Sequence, residues 1–290
     1  VKYGQVPSVN TNAAVDVRSL AQIVTRALLR VIDSVIGFIA LERMLILRNI
    51  RIVAAGNISR AFIGTLRLFV VIDAHVYLYY IVQRTMPGTI SFLDYNSTAF
   101  ALWSIFSSMT HKAVSPAVAN PFNLALNIRW VNLFIADLIW EVTKALIAVL
   151  AVYAQFLMFP DRSIAPITHS PNMPLLVVTF VLIGAIGSGF GLVMHSARRR
   201  WPVVDATMEA MMWFLFVTSG IYESYVQLPS VIGDYYRWNP VMVVIEYGRQ
   251  ALDPGYPVGD LKMIYPVIMA GVLLVLGLLL RQSDVRGLRQ

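Results

Sequence analysis

Two stretches of the chain run without a charged side chain for about the depth of a bilayer: 174–194, with 21 residues, and 263–280, with 18. A hydrocarbon core about 30 Å thick takes about 20 apolar residues in a helix, so both read as membrane spans. Four further apolar stretches, 61–82, 96–118, 133–159 and 203–221, carry the same pattern with a few polar interruptions. The expected fold is an all-α polytopic membrane protein with six transmembrane helices.

Ahead of the first span the pattern changes. Val17, Leu20, Val24, Leu28 and Val31 recur at helical spacing, while Arg18, Gln22, Arg26 and Arg30 form an i, i+4 stripe on another face. Such a helix lies in the membrane surface with its arginines toward anionic headgroups. The stretch 31–47 is apolar but holds Asp33, Glu42 and Arg43, which fits a second interfacial helix. Residues 1–60 are therefore expected as an amphipathic interfacial arm and 61–290 as the transmembrane domain. Between the last two spans, residues 222–261 are too aromatic for a solvated loop and too interrupted for a straight span. Pro229, Gly233 and Pro240 break the segment, with Tyr222, Tyr225, Tyr235, Tyr236 and Trp238 between them. Two short helices entering the outer leaflet and turning back would satisfy their own backbone groups. Tyr and Trp favour the headgroup level. A re-entrant helical hairpin is expected there.

Composition agrees with this reading. Apolar residues make up 58% of the 290 and charged residues 13%, against roughly a quarter charged in soluble domains; mean hydropathy is +0.67. The net charge of +7 is explained by where the cations fall. With a cytoplasmic N-terminus the inner segments hold 16 Lys and Arg and the outer segments five, the positive-inside bias. Both termini are expected in the cytoplasm, and no nucleic-acid partner is expected. The first long apolar stretch starts near residue 61, so no cleavable signal peptide is expected.

Several chemistries lack their residues. There is no cysteine, hence no disulfide, iron–sulfur or cysteine–zinc site. No G-x-x-x-x-G-K-[ST] is present to hold ATP, and the four histidines are scattered, so no metal site is expected. Gly187-Ser188-Gly189 reads as helix packing rather than as a nucleophile. Charges within spans are another matter, because each needs partners or water. Asp73 lies near the middle of the first span and Arg67 shallower. In the third span Asp137, Glu141 and Lys144 share a face, so Glu141 and Lys144 can pair. A polar pathway or gate and an interhelical clamp both fit.

Three stretches together resemble the permease subunits of type-2 ABC exporters, specifically those that export capsular polysaccharide. The first runs from Ser219-Gly220-Ile221-Tyr222 through Leu228-Pro229 and Trp238-Asn239-Pro240 to Glu246-Tyr247-Gly248-Arg249 and Pro254-Gly255-Tyr256. The second runs from Ala119-Asn120 through Ile128-Arg129 to Ala136 and Glu141. The third is Ala197-Arg198-Arg199-Arg200-Trp201-Pro202. The agreement covers about half of the chain, residues 117 to 256. In the first span the resemblance departs: those permeases carry a tryptophan and a Glu-Pro pair, and this chain has Arg67, Val71 and Ile72.

The resemblance implies a multi-pass protein of the bacterial inner membrane, a permease pairing with a second copy of itself and two ATPase subunits. Its substrate would be a lipid-linked polysaccharide, passed on to periplasmic co-polymerase and outer-membrane export proteins. ATP and Mg would sit on the partner ATPase, leaving this chain without cofactor or catalytic residues. Asn120, Phe122, Leu126 and Arg129, with Arg198, Arg199 and Arg200, are the expected ATPase-coupling residues. Arg67, Tyr222, Tyr225 and Trp238 are expected along the substrate path; Asp73, Glu141, Lys144, Glu246 and Arg249 form a polar gate or clamp. Alternatives are export of another substrate (O-antigen, teichoic acid, lipid or drug) or a membrane enzyme acting on lipid or sugar. The enzyme would need clustered acid, base or metal groups, which are absent.

Overall fold

The computed structural model describes residues 40, 43–44, 58–82, 85–114, 130–158 and 170–287. The chain divides into two units, Val1–Leu45 and Ile46–Gln290, and the elements described below belong to the second. The interfacial arm expected over 1–60 lies almost wholly outside the described residues. The same holds for Asn120, Phe122, Leu126 and Arg129.

Among the described residues all regular structure is helical. The helices are α1 (Ile58–Ile81), α2 (Phe92–Val114), α3 (Trp130–Met158), α4 (Met173–Arg200), α5 (Val203–Val217), α6 (Ser230–Tyr236), α7 (Pro240–Leu252) and α8 (Ile264–Gly287), with a 3₁₀ turn at Tyr225–Gln227. Three stretches are long and apolar enough to cross a membrane: Phe62–Ile81, Met173–Arg200 and Ile264–Gln282. Helices α2 and α3 have the length, 23 and 29 residues, but carry more polar side chains.

Helix α4 is the centre of the unit, and its most extensive contacts are with α8 and α2. Glycines make this closeness possible. Cβ atoms built on Gly187 and Gly191 would stand 2.6 Å from the Phe106 carbonyl and 2.4 Å from the Thr110 carbonyl of α2. One built on Gly189 would stand 2.8 Å from Leu273 of α8, and one on Gly184 2.5 Å from Leu138 of α3. Four glycines thus face three neighbours, the small-residue packing that lets membrane helices approach. Thr110 Oγ1 reinforces the α2 contact by donating to the Gly187 carbonyl at 3.1 Å. Leu102, Ile105, Phe106, Ile183 and Ile186 fill the core around this axis.

Local signals set several helix starts. Ser91 Oγ accepts from the Asp94 amide at 3.0 Å and donates to the Asp94 carboxylate at 2.8 Å, a serine N-cap at the start of α2. Asn172 caps α4 through the Leu175 amide, and Asn239 caps α7 through the Val241 amide, with Pro240 in the first turn. Helix α5 differs from expectation. Its 15 residues end at Val217 rather than 221, so it is about 22 Å long at 1.5 Å per residue. Gly220, at φ 73°, turns the chain there, a conformation glycine reaches without the usual side-chain clash. Residues 222–261 contain the helices α6 and α7, joined by a turn over 237–239.

Candidate functional site

Two charged clusters and one cavity stand out in the bundle. Helix α7 has Val241–Glu246, Gly248, Arg249 and Ala251 buried. On its inner face Arg249 Nη1 donates to Glu246 Oε1 at 2.8 Å, and neither side chain has any exposed surface. Arg249 also donates from Nη2 to the Ile221 carbonyl at 3.2 Å and from Nε to the Tyr95 carbonyl at 3.4 Å. Its guanidinium lies 3.5 Å from the centroid of the Tyr95 ring. Glu246 accepts from the Tyr256 hydroxyl at 2.7 Å, Ser224 Oγ at 3.2 Å and the Tyr225 amide at 3.3 Å. The pair therefore ties α7 to α2 and to the segments on either side of α6 and α7.

The second cluster joins α2 to α3. Glu141, 2% exposed, takes Lys112 Nζ at 3.0 Å and Lys144 Nζ at 2.7 Å; Lys112 also reaches Asp137 at 2.9 Å. Glu141–Lys144 pairing was legible in the spacing. Lys112 was not, because it reaches Asp137 across 25 positions from the last turn of α2. Asp73 forms none of these ion pairs and lies half-buried on α1 beside Gln155 of α3. Glu141→Ala leaves Lys144 without a carboxylate and Lys112 with Asp137 alone, and is expected to destabilise by about 1–3 kcal/mol. Lys144→Ala should cost markedly less, Lys112 remaining at Glu141. Detergent-solubilised unfolding temperatures of the two variants check this order.

Between α1, α2, α3 and the end of α5 lies a cavity of about 350 Å³. Arg67, Ser104, Ser107, Ser108 and Lys144 supply its polar wall, and Phe100, Trp103 and Phe216 its aromatic one. The wall residues of α1 and α2 recur at steps of three and four, so each helix turns one face to the cavity. Rings continue beyond it: Trp103 meets Phe216 at 5.1 Å, Phe216 meets Tyr222 at 5.5 Å, and His75 bridges Phe100 and Tyr222 at 4.5 and 5.6 Å.

Of the four residues expected along a substrate path, Arg67 and Tyr222 are thus joined through Phe216. Tyr225 and Trp238 belong to a different, exposed cluster. There the Tyr225 hydroxyl donates to Asp260 at 2.6 Å, and Trp238 meets the Tyr265 ring at 5.8 Å. The bond to Asp260 pushes the Tyr225 hydroxyl up to about 12, while the same bond lowers the Asp260 carboxyl. Trp103, Phe216 and the three serines were missed from sequence. Their helical spacing was visible, but an aromatic or serine stripe in a span reads equally as packing. At the other end of α4, Arg198 Nε pairs with Asp205 of α5 at 2.9 Å, and Arg199 and Arg200 are exposed.

An all-helical bundle with three helices able to cross a membrane, a glycine-packed centre and charges paired within it is a helical membrane protein. The chain is 27% identical over 206 residues to the polysialic acid transport protein KpsM of Escherichia coli, covering 70% of this chain and 77% of that protein. A second Escherichia coli protein of that name is 26% identical over the same length. No family model matches the chain. These two relatives bear out the resemblance to capsule-branch permease subunits of type-2 ABC exporters.

Proposed function

We propose that this chain is the permease subunit of an ATP-driven exporter that moves lipid-linked capsular polysaccharide across the bacterial inner membrane. The observation that carries this reading is the similarity along 206 residues to two polysialic acid transport proteins. The cavity beside Arg67, and the rings running from it to Tyr222, support a path for a sugar chain. Such a polymer is not enclosed as a small ligand is. It slides past many weak contacts, and aromatic faces offer these without fixing register.

Six spans, both termini in the cytoplasm and a re-entrant hairpin over 222–261 complete this reading. The turn between α6 and α7, and the aromatic residues around it, support the hairpin. Two copies of the chain pair with two ATPase subunits that bind ATP and Mg. Periplasmic and outer-membrane partners take the polymer onward. Deleting the chain is expected to remove surface polysaccharide and leave it accumulated inside the cell. Unchanged surface polysaccharide would refute the proposal.

Force from ATP hydrolysis enters, in this proposal, through residues 120–129 and Arg198–Arg200. Coupling needs a contact that differs between nucleotide states. Phe122 and Leu126, as apolar anchors, suit a groove on the ATPase. The double substitution Phe122→Asp, Leu126→Asp is expected to abolish co-purification of the ATPase while the permease remains folded. Co-purification at wild-type yield would remove the assignment.

A further inference from the structure

Helices α2 and α4 meet along one seam in steps of four residues. Phe106 faces Gly187 and Thr110 faces Gly191, where a built Cβ would stand 2.6 and 2.4 Å from the α2 carbonyls. One turn further the series reaches Val114 and His195. There an imidazole takes the place of the glycine, and the contact changes kind. His195 Nδ1 donates to the Val114 carbonyl at 2.9 Å; a carbonyl only accepts, so the proton lies on Nδ1. Val114 is the last residue of α2, where helix carbonyls have no partner within their own helix. The backbones touch at the first two rungs and are held apart by a ring at the third. The seam thus ends in a polar link that can open without disturbing the glycine packing further along it.

The place of this link in the chain gives it a use. On one side, Val114 is where the chain leaves α2, and Asn120, the first expected coupling residue, follows six residues on. On the other, Arg198–Arg200 begin three residues after His195, about one helical turn. The same end of α2 is tied to α3 by Lys112, 2.9 Å from Asp137 and 3.0 Å from Glu141. We propose that His195 is a positioning residue for energy coupling. Through the Val114 carbonyl it holds the exit toward residues 120–129 and the Arg198–Arg200 turn in one register, so that a push on either moves both. The proposal rests on the coupling reading above and names the side chain that joins its two halves.

Two readings test this: surface polysaccharide in a deletion strain carrying each variant, and ATP hydrolysis by the purified permease–ATPase complex. His195→Phe keeps a ring of similar size and removes the donor; His195→Asn restores an N–H donor near the Nδ1 position. His195→Phe is expected to assemble at wild-type yield and to hydrolyse ATP, while surface polysaccharide falls by about two- to tenfold, the worth of one neutral hydrogen bond. His195→Asn should recover most of that loss. A third reading needs no export. The chain has no cysteine, so spin labels can be placed through His111→Cys and Trp201→Cys, both at exposed positions. Their distance distribution should broaden in His195→Phe and narrow again in His195→Asn. Thr110→Val, which removes the neighbouring bond to Gly187, is the structural control: it should lower the unfolding temperature and leave export per ATP unchanged. Unchanged export per ATP, or unchanged label distances, in His195→Phe overturns the proposal. So does a His195→Asn protein as defective as His195→Phe, or a loss of export that only tracks lost folded complex. Failure of the coupling reading is seen separately, as an ATPase that stays bound to the Phe122→Asp, Leu126→Asp variant while the label distances still respond to His195.

Discussion

Arg249→Ala is expected to collapse the yield of folded protein and to lower its unfolding temperature in detergent more than any other single change considered. The substitution removes three hydrogen bonds and leaves Glu246 charged with no exposed surface. Breaking a buried pair on one side costs about 3–5 kcal/mol, a large part of a total stability of about 5–15 kcal/mol. Replacing both members by apolar residues, Glu246→Leu with Arg249→Met, should recover much of the loss, because the penalty belongs to the orphaned charge. The spacing of the pair left two roles open, a gate that separates on opening and a clamp that holds the segment to the bundle. Six hydrogen bonds to and within the pair favour the clamp. A well-folded Arg249→Ala protein that leaks ions without ATP would restore the gate. One that is stable, sealed and exporting would refute both.

The second large effect belongs to the glycine axis of α4. A Cβ on Gly191 stands 2.4 Å from the Thr110 carbonyl and 2.8 Å from the Ala113 Cβ. Neither neighbour is a flexible side-chain end, so α2 and α4 must move apart. Overpacking of this kind costs about 1–3 kcal/mol or more, and separation also strains the Thr110 bond to Gly187. Gly191→Ala should therefore lower the unfolding temperature by several degrees. The same substitution at Gly271 of α8, where a Cβ meets nothing within 4 Å, should be neutral or slightly stabilising, alanine being the better helix former. Equal effects at the two glycines would show that helix propensity, not packing, sets the response.

What could be read from sequence was whatever acts over one or two helical turns. Helices α1, α3, α4 and α8 follow from their apolar runs, and the observed starts fall within three residues of the expected ones. Glu246–Arg249 and Glu141–Lys144 are pairs at i, i+3, so spacing alone put their side chains within reach. What could not be read depends on residues far apart in the chain. Lys112 meets Asp137 across 25 positions, and Arg249 meets Tyr95 across 154. The cavity needs faces from four helices at once. Helix α5 was overextended because Thr218 and Ser219 look permissible in a span, while the turn at Gly220 is a backbone property. Tyr222, Tyr225 and Trp238 look like one aromatic set along the chain, yet Tyr222 turns toward Phe216 and Trp238 toward Tyr265.

The network around Arg249 also sets an order of biogenesis. A nascent chain emerges and folds from its N-terminal side, so Tyr95 and Ile221 are in place before Arg249 is made. Tyr256, the closest donor to Glu246 at 2.7 Å, comes last. Until it arrives the charged pair is short of a partner and α7 is costly to bury. The network over 218–256 therefore closes only once residue 256 has been made, ahead of α8. A chain cut short before residue 256 carries α7 with Glu246 lacking its Tyr256 donor.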